Sequence, residues 1–360
     1  MRIGLCMIMK DESHIVHEVL NSVHEIIDTF CIVDTGSTDN TIQIVKDFFE
    51  SKKIEGEIHE RPWIGFGENR SEALKLCNGK MDYILMIDAD DLMGFPGIGA
   101  RAFLEKALTE ISPNACNLTI RRGNLEYTRT QIFKADDNWR YVGVLHEYPT
   151  NDSKTNKFLK LPPEIYMVGR TLGNRSKIEG NKYARDAEVL LKALETEPNN
   201  DRYVFYLAQS YRDAGMNDEA VKWYKKRFEM GGWNEELFVV AYNVSKLTDD
   251  KEWAWKATEK APYRSEALVS YVSQRRAKAE WSQELLSMIM YASTIPKPSQ
   301  ECLFIETDVY AWRVWDELSI VAAYCGKKDL AKDSCIRVLS EKKYPPEQKP
   351  RLEANLKAML

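Results

Sequence analysis

The sequence predicts an α/β domain followed by an all-α domain. In the first half, short apolar runs of β type alternate with amphipathic stretches, as expected when parallel strands are joined by crossover helices. From Tyr183 onward strand signals fade, and helical periodicity continues to Leu360. A chain of 360 residues with 44% apolar residues is long enough to build two cores. We therefore predict two domains, residues 1–178 and 179–360.

Four strands and three helices form the predicted parallel core of the first domain. The strands cover residues 2–8, 29–34, 54–60 and 81–88, and the helices between them cover residues 13–24, 38–51 and 68–77. Three shorter strands, at residues 117–122, 128–134 and 139–144, are expected around an insertion after this core.

The helical half contains a repeated spacing of small and large residues. The first copy comprises Leu207-Ala208, Tyr211, Ala214-Gly215, Ala220 and Tyr224. This spacing matches the helix-turn-helix pattern of a tetratricopeptide repeat, in which small residues let paired helices approach closely. Leu318, Cys325-Gly326 and Ala331 repeat part of it at the same mutual distances. We predict imperfect repeats, with further helical pairs between residues 235 and 276.

Composition argues against several classes of function. Fifty basic residues stand against 55 acidic ones, a net charge of −5, so we expect no nucleic-acid partner. The seven cysteines are scattered without CxxC spacing, which is typical of reduced thiols in a reducing compartment. The opening apolar run stops at Lys10 and is too short for a signal sequence or a membrane span. We expect a cytoplasmic protein with no transmembrane segment.

Three carboxylates stand within four positions at Asp88, Asp90 and Asp91, directly after an apolar run. Carboxylates this close repel one another unless a cation or hydrogen-bond donors neutralise them. Their oxygens suit Mg²⁺ or Mn²⁺, which commonly takes one or two protein carboxylates together with phosphate oxygens. The alternative is a solvated acidic turn that caps a helix beginning near Pro96. The position at the carboxyl end of a predicted central strand favours ligand binding.

A second polar turn, DTGSTDNT at residues 34–41, follows the predicted strand 29–34. Asp34 at the strand tip can accept hydrogen bonds from a base or a ribose, and Gly36 lets the backbone approach a ligand. Ser37, Thr38 or Asp39 can instead cap the following helix. For Asp39, capping and ligand contact both remain open, and the two roles can coexist.

Five segments together resemble family 2 glycosyltransferases of the GT-A fold, which is Rossmann-like with a mostly parallel sheet. They are CMIMKDE at residues 6–12, DTGSTDNT at 34–41, WIGFGENRSEAL at 63–74, DADD at 88–91 and WRYVGVLHE at 139–147. The sequence departs from the usual pattern at Asp11, where Asn is usual, at Asp91, where Glu is frequent, and at Gly67-Glu68 before Asn69. These departures leave donor specificity open. Tetratricopeptide-like helices often follow the catalytic domain in this subgroup.

The resemblance implies a donor site and a metal site. Asp34 would lie beside the nucleoside of a nucleotide-sugar donor, for which a UDP-sugar is favoured. The other donor-binding residues that it implies are Asp11, Asp39, Arg70 and Asp88. Asp88 and Asp90 would bind the Mn²⁺ or Mg²⁺ that bridges the donor diphosphate, and His146 would complete the metal shell. Arg70 can equally be a helix residue in an ordinary ion pair, and His146 can be structural.

The expected chemistry follows from the leaving group. A nucleoside diphosphate departs only if its growing negative charge is stabilised, which a metal at the diphosphate achieves. The anomeric carbon then passes through an oxocarbenium-like state. If configuration inverts, a base must take a proton from the acceptor hydroxyl. We predict Glu147 for this role because it adjoins His146, with Asp91 and Asp137 as alternatives. A retaining reaction requires no such base.

The acceptor is expected to be a glycan, a protein or a small molecule. Aromatic faces stack on sugar rings and arginines anchor acidic groups, so the candidate contacts are Trp63, Arg121, Arg122, Tyr127 and Trp139. Each can equally be a core or rim residue. The helical domain is expected to bind the acceptor, a protein partner or a second copy of the chain.

Two other classes of function remain. A nucleotidyltransferase that acts on sugar phosphates also uses an acidic metal site on an α/β sheet, but residues 3–12 lack the basic Gly loop expected near its first strand. A non-catalytic scaffold with a decayed transferase domain would not need to keep Asp34, Asp88 and Asp90.

Overall fold

The computed structural model describes residues 1–95, 97, 99–173 and 181–359. The chain divides into two compact units. The first comprises Met1–Gly123 and Tyr127–Ala193, and the second comprises Asn124–Glu126 and Leu194–Leu360. The predicted boundary between residues 178 and 179 lies outside the described residues and stays a prediction.

The first unit is built on a mixed β-sheet. Its strands are β1 (Ile3–Met9), β2 (Thr29–Asp34), β3 (Gly56–Glu60), β4 (Tyr83–Met86), β5 (Leu92–Gly94), β6 (Ala115–Arg122), β7 (Leu125–Lys134), β8 (Arg140–Val142), β9 (Tyr148–Thr150), β10 (Phe158–Lys160) and β11 (Tyr166–Val168). The strand order is β3-β2-β1-β4-β7-β6-β11-β5, and β10 pairs with β6. Strands β8 and β9 form a separate two-stranded ribbon.

The parallel part of this sheet is centred on β1. β1 pairs in parallel with both β2 and β4, and β2 pairs in parallel with β3. β7 then runs antiparallel to β4. Because the parallel strands end at one edge, the residues that follow β1, β2 and β4 are delivered to the same place.

Four helices cover the two faces of the parallel strands. They are α1 (Val16–Val23), α2 (Thr41–Lys52), α3 (Phe66–Leu76) and α4 (Ala100–Ile111). β1 is buried along its whole length, and its side chains alternate between the faces. Leu5 and Met7 join a core with residues of α1, α2 and α4, whereas Cys6 joins a core with residues of α3.

The second unit is mainly helical. Its helices are α5 (Lys182–Thr196), which contains the division between the units, α6 (Asp201–Asp213), α7 (Asn217–Glu229), α8 (Asn234–Thr248), α9 (Lys251–Lys260), α10 (Glu266–Ala277), α11 (Gln283–Ser293), α12 (Val314–Tyr324), α13 (Lys328–Glu341) and α14 (Lys349–Met359). A short strand, β12 (Ile305–Glu306), pairs with Leu125 and Glu126. No helix in the described part of the chain has the length and apolar composition needed to cross a membrane.

The predicted repeat spacings fall on two helical pairs. Ala208 of α6 and Ala220 of α7 are fully buried, and Gly215 makes the turn between them with a φ of 79°. Gly326, with a φ of 76°, turns in the same way between α12 and α13. A positive φ is accessible to Gly without the strain that a Cβ would add. The helix-turn-helix prediction is confirmed for both pairs.

A buried ion cluster joins α8 to α10 in the second unit. The Arg264 guanidinium lies 2.8 Å from Glu235 and 2.8 Å from Glu266, and all three side chains are nearly inaccessible. Arg264 also donates hydrogen bonds to the carbonyls of Leu303 and Phe304. A buried charge is tolerated when it is both paired and hydrogen-bonded, as it is here.

The predicted fold class, an α/β domain followed by an all-α domain, is confirmed. In the first unit, the residues of β5, β9, β10 and β11 were not predicted as strands. Each of these strands is only three residues long, so none shows a period-two pattern that a sequence can reveal. β4 is also shorter than the predicted strand 81–88, because the chain leaves the sheet at Ile87 before the three carboxylates.

Replacing Ile32 by Ala should destabilise the protein by about 2 to 5 kcal/mol, because Ile32 is fully buried in β2 and the change leaves a cavity. The measurement is the free energy of unfolding of the intact chain, from chemical denaturation followed by circular dichroism. Ile64→Ala is the matched control, since Ile64 is 68% exposed, and it should change that energy by less than about 0.5 kcal/mol. Equal losses for the two variants would contradict the assigned core.

Arg264→Met should cost about 3 to 5 kcal/mol, because it leaves the carboxylates of Glu235 and Glu266 buried without their cation. Arg337→Met removes an arginine that is 49% exposed and ion-paired within one helix, and it should cost less than about 1 kcal/mol. The helical signal at 222 nm reports both transitions. A loss no larger for Arg264→Met than for Arg337→Met would mean that the buried cluster contributes little.

Candidate active site

The candidate site lies at the carboxyl edge of β2, β1 and β4. Asp34 is the last residue of β2, Asp11 follows β1 by two residues, and Asp88 follows β4 by two residues. The parallel register aligns the strand ends, because Met9 is opposite Asp34 and Cys6 is opposite Met86. Three of the predicted site residues are therefore brought to one edge by sheet topology.

The turn after β2 is organised by the Asp34 carboxylate. Asp34 is 1% exposed and accepts hydrogen bonds from the amides of Gly36, at 2.9 Å, and Ser37, at 2.8 Å. The Ser37 hydroxyl donates to its second oxygen. Gly36 has a φ of 104°, a conformation that a residue with a Cβ rarely adopts. Asp34 thus fixes the turn and holds an ionisable group at the strand tip.

Asp11 and Asp39 tie the turns after β1 and β2 together. The Thr38 amide donates to the Asp11 carboxylate at 2.6 Å, and the Asp11 amide donates to the Ser37 hydroxyl at 2.9 Å. Asp39 accepts hydrogen bonds from the amides of Ser13 and Thr41. Burial acts to raise the pKa of Asp39, but hydrogen bonds from the side chains and amides of Ser13 and Thr41 lower it to about 2. Asp39 therefore links the turn after β1 to Thr41, the first residue of α2.

Arg70 joins Asp88 to Glu147. Its guanidinium, on the second turn of α3, donates to the carboxylates of both residues. The side chains of Arg70 and Glu147 are 11% and 7% exposed. The guanidinium also lies 5.3 Å from the ring centre of Phe66 and 5.7 Å from that of Tyr141. Three predicted site residues, from α3, the β4 end and the β8–β9 turn, are thus held in one chain of ion pairs.

The carboxylates after β4 have different electrostatic surroundings. Burial acts to raise the pKa of Asp88, but the charges of Arg70 and Arg129 outweigh it and leave that pKa below its usual value. Burial and the neighbouring charge of Asp88 raise the pKa of Asp91 to about 7. Asp88 is thus an ionised group, and Asp91 lies buried where further negative charge is unfavourable.

Arg170, two residues after β11, holds the turn that contains Asp90 and Asp91. Its amide donates to the Asp91 carboxylate at 3.0 Å, and its Nε donates to the Asp90 carbonyl at 2.5 Å. The Asp90 carboxylate accepts hydrogen bonds from the amides of Leu172, at 3.2 Å, and Gly173, at 3.0 Å. The segment after β11 therefore fixes the acidic turn through its backbone.

His146 is exposed in the turn between β8 and β9, with a φ of 51°. It precedes Glu147, and no contact joins its ring to Asp88 or Asp90 in the described part of the chain. Among the described residues, no group of three or more His, Cys, Asp or Glu side chains is placed to hold a metal ion. The predicted ligand set of Asp88, Asp90 and His146 therefore stays a prediction.

The loop that carries Trp63 is held by the first turns of α3. Asn69 is fully buried, accepts hydrogen bonds from the amides of Ile64 and Gly65, and donates to the Pro62 carbonyl. Trp63 is 45% exposed and packs edge-on against Phe66. An exposed aromatic face on a fixed loop suits stacking against a ring of a ligand.

The other predicted acceptor contacts differ in exposure. Arg122 is exposed, and Arg121 lies over the Tyr166 ring at 3.8 Å and donates to the Pro163 carbonyl. Tyr127 is partly buried against the core. Trp139 is 6% exposed and packs against Phe133 in the core. Of the two alternatives for Trp139, the core one therefore holds, because its ring is used for core packing.

Sequence reasoning missed two arginines of this site, Arg129 and Arg170. Arg129 lies on β7 with its guanidinium 3.9 Å from Asp88. The antiparallel pairing of β4 with β7 brings it there, since Leu85 pairs with Ile132 and Asp88 and Arg129 each lie three residues further on. The alternation of apolar and polar residues along β7 is visible in the sequence, but the strand that pairs with β7 is not. Arg170 gave no sequence signal, because β11 is three residues long.

Three comparisons place these observations among known proteins. The chain is 24% identical over 227 residues to the SPbeta prophage-derived glycosyltransferase SunS of Bacillus subtilis, a match that covers 61% of this chain and 51% of SunS. It is 27% identical over 158 residues to a TPR repeat-containing protein of Synechococcus elongatus, covering 41% of this chain and 35% of that protein. The crystal structure of S. aureus TarS 1–349 in complex with UDP-GlcNAc is similar with a TM-score of 0.41 and 14% identity, over 79% of this chain and 93% of that one.

The family comparison covers the sheet edge that carries Asp11, Asp34, Asp88 and Asp90, which we call the acidic edge. Residues 5–96 match the family described as glycosyl transferase family 2. The matched segment contains most of β1, all of β2 to β5 and the carboxylates of Asp11, Asp34, Asp88 and Asp90, whereas Glu147 lies beyond it. The chain spans about half the length of SunS. The resemblance of the sequence segments to glycosyl transferase family 2 is therefore confirmed over residues 5–96, and the helical region that follows resembles tetratricopeptide-repeat proteins.

Proposed function

We propose that this chain is a metal-dependent glycosyltransferase that moves a sugar from a nucleotide-diphosphate sugar, with a UDP-sugar favoured, to a glycan, protein or small-molecule acceptor. The observation that carries the proposal is the convergence of Asp11, Asp34 and Asp88 at one sheet edge inside the segment that matches family 2. Ligands of open α/β sheets bind beyond the carboxyl ends of the strands, which is this edge.

The two ends of a nucleotide-sugar donor correspond to two parts of this edge. The Asp34 turn, with Gly36 and exposed Thr38, offers a carboxylate and close backbone approach to a nucleoside. The turn at Asp88 and Asp90 follows β4, which lies on the other side of β1 from β2. This turn would face the diphosphate and the sugar. Asp39 and Asp11 would support donor binding by holding the turns after β1 and β2 in place, in addition to any direct contact with the donor.

The carboxylates of Asp88 and Asp90 fit a divalent ion of the Mn²⁺ or Mg²⁺ type. Asp88 is kept ionised by Arg70 and Arg129, and Asp90 stands two positions away. Such ions commonly take only one or two protein carboxylates and complete their shell with phosphate oxygens and water. Asp88 and Asp90 would hold the ion, with His146 as a further candidate. When bound, the ion would supply charge stabilisation for the leaving diphosphate.

Glu147 is the preferred base for an inverting reaction. Its carboxylate is 7% exposed and is held in place by Arg70, which fixes its direction relative to Asp88. A positioned carboxylate can take the proton of an acceptor hydroxyl at hydrogen-bond distance. Asp91 is the alternative base, and burial with a pKa near 7 would suit proton exchange, but its carboxylate accepts the Arg170 amide.

We further propose a reducing, cytoplasmic setting and a protein-binding role for the helical unit. All seven cysteines are free thiols, and six of them are buried. Buried unbridged thiols are typical of proteins kept in a reducing compartment. Helical repeats commonly present extended binding surfaces, which supports an acceptor, a protein partner or a second copy as the ligand of this unit.

A panel of nucleotide sugars should identify the donor. We expect one of them, with Mn²⁺, to raise the melting temperature of the wild-type protein and to undergo slow hydrolysis. Asp90→Asn should reduce Mn²⁺-dependent hydrolysis by about 100-fold or more, since it removes a carboxylate from the proposed ion. The readouts are thermal shift and release of nucleoside diphosphate, each with and without a chelator.

Asp152→Asn is the matched control for this experiment. The Asp152 side chain is 83% exposed and pairs only with Arg140 at the surface among the described residues, so this variant should match the wild type. If no nucleotide sugar stabilises the wild type or is turned over, and Asp90→Asn behaves like the wild type, the enzymatic proposal fails. The scaffold alternative then becomes the better account.

Glu147→Gln should separate proton transfer from donor binding. If Glu147 is the base of an inverting transfer, kcat for the acceptor reaction should fall by about 10²- to 10⁴-fold while the Kd of the donor changes little. Steady-state transfer kinetics and donor titration measure the two quantities. Glu126→Gln is the control, since Glu126 is a partly buried carboxylate paired with Lys297. An unchanged kcat for Glu147→Gln would remove Glu147 as the base.

A further inference from the structure

Arg129 stands across the sheet from the metal-binding candidate Asp88. The antiparallel register of β4 and β7 pairs Tyr83 with Lys134 and Leu85 with Ile132. Asp88 and Arg129 each lie three residues beyond the Leu85–Ile132 pair, and the Arg129 guanidinium lies 3.9 Å from the Asp88 carboxylate. This separation places the guanidinium at the candidate site.

The hydrogen-bonding capacity of Arg129 differs from that of the other two arginines of the site. Arg70 donates to both Asp88 and Glu147, and Arg170 donates to the Asp90 carbonyl and to Glu18. The separation of 3.9 Å between Arg129 and Asp88 is too long for a hydrogen bond. Within the described part of the chain, the guanidinium of Arg129 has this ion pair and no hydrogen bond.

A half-exposed arginine with unused donors suits an anionic ligand. The side chain of Arg129 is 35% exposed, against 11% for Arg70 and 15% for Arg170. A guanidinium presents five N–H donors in a planar fork that matches phosphate oxygens. The neighbouring Gln131 is already committed, because it donates to the Met86 carbonyl. On this part of β7, Arg129 is therefore the group that can take up a new anion.

We propose that Arg129 binds the diphosphate of the nucleotide donor, as a binding residue that the matched family segment does not contain. This inference rests on the proposed function and deepens it. Arg129 moves from its long ion pair with Asp88 to direct hydrogen bonds with phosphate oxygens, while Arg70 continues to neutralise Asp88. The fork then places positive charge where the leaving diphosphate carries its negative charge.

The test compares ligands with and without phosphates. The Kd values of UDP and uridine, or of the same pair for the base that the donor panel selects, are measured by calorimetry with Mn²⁺ and again in excess EDTA. Arg129→Gln should weaken UDP binding by about 10- to 100-fold and leave uridine binding unchanged. Arg129→Lys should lose less, since it keeps the charge without the fork. Arg140→Gln, at a surface ion pair of the same unit, should leave both Kd values unchanged.

The outcomes separate three accounts of Arg129. An unchanged ratio of the two Kd values in Arg129→Gln, with a wild type that binds UDP, overturns the inference and leaves the proposed function standing. Equal weakening of UDP and uridine also overturns it, because Arg129 would then act only as a counter-ion of Asp88. A wild type that binds no nucleoside diphosphate, with or without Mn²⁺, overturns both proposals. If Arg129→Gln does not fold by circular dichroism, the loss in Arg129→Lys decides, and equality with the wild type overturns the inference.

Discussion

The ion-pair chain from Asp88 through Arg70 to Glu147 connects parts of the α/β unit that are far apart in sequence. Asp88 comes from the end of a central strand, Arg70 from α3 and Glu147 from the β8–β9 turn. The acidic edge could not pack without such compensation, because closely spaced carboxylates repel.

Two kinds of hydrogen-bond donor neutralise the negative charge of the carboxylates at the acidic edge. Backbone amides neutralise Asp34, Asp11 and Asp90, so these carboxylates are fixed in direction by turns of the main chain. Guanidinium groups neutralise Asp88, which can exchange its partners without unfolding a turn. The rigid part of the edge thus suits recognition, and the exchangeable part suits a ligand whose charge changes during reaction.

The parts that could be predicted from sequence are those with local signals. The strand Thr29–Asp34 was predicted at its observed bounds, because an apolar run ends at a Gly turn, and the carboxylates at Asp88 to Asp91 were recognised by their spacing. The position of Arg129 beside Asp88 depends on which strand pairs with β4, and this pairing joins residues about fifty positions apart. For Trp139 both ligand contact and core packing stayed open, because composition does not distinguish an aromatic residue of the core from one of the rim.

The sheet order also has a consequence for how this unit folds as it is synthesised. The carboxylates of Asp88, Asp90 and Asp91 leave the ribosome well before Arg170, which is 79 residues beyond Asp91. β5, directly after them, pairs with β11, which is made just before Arg170. The family 2 segment at residues 5–96 therefore lacks, on its own, the backbone amides and the strand partner that hold its acidic turn. These contacts can form only after β11 and the residues that follow it have been synthesised.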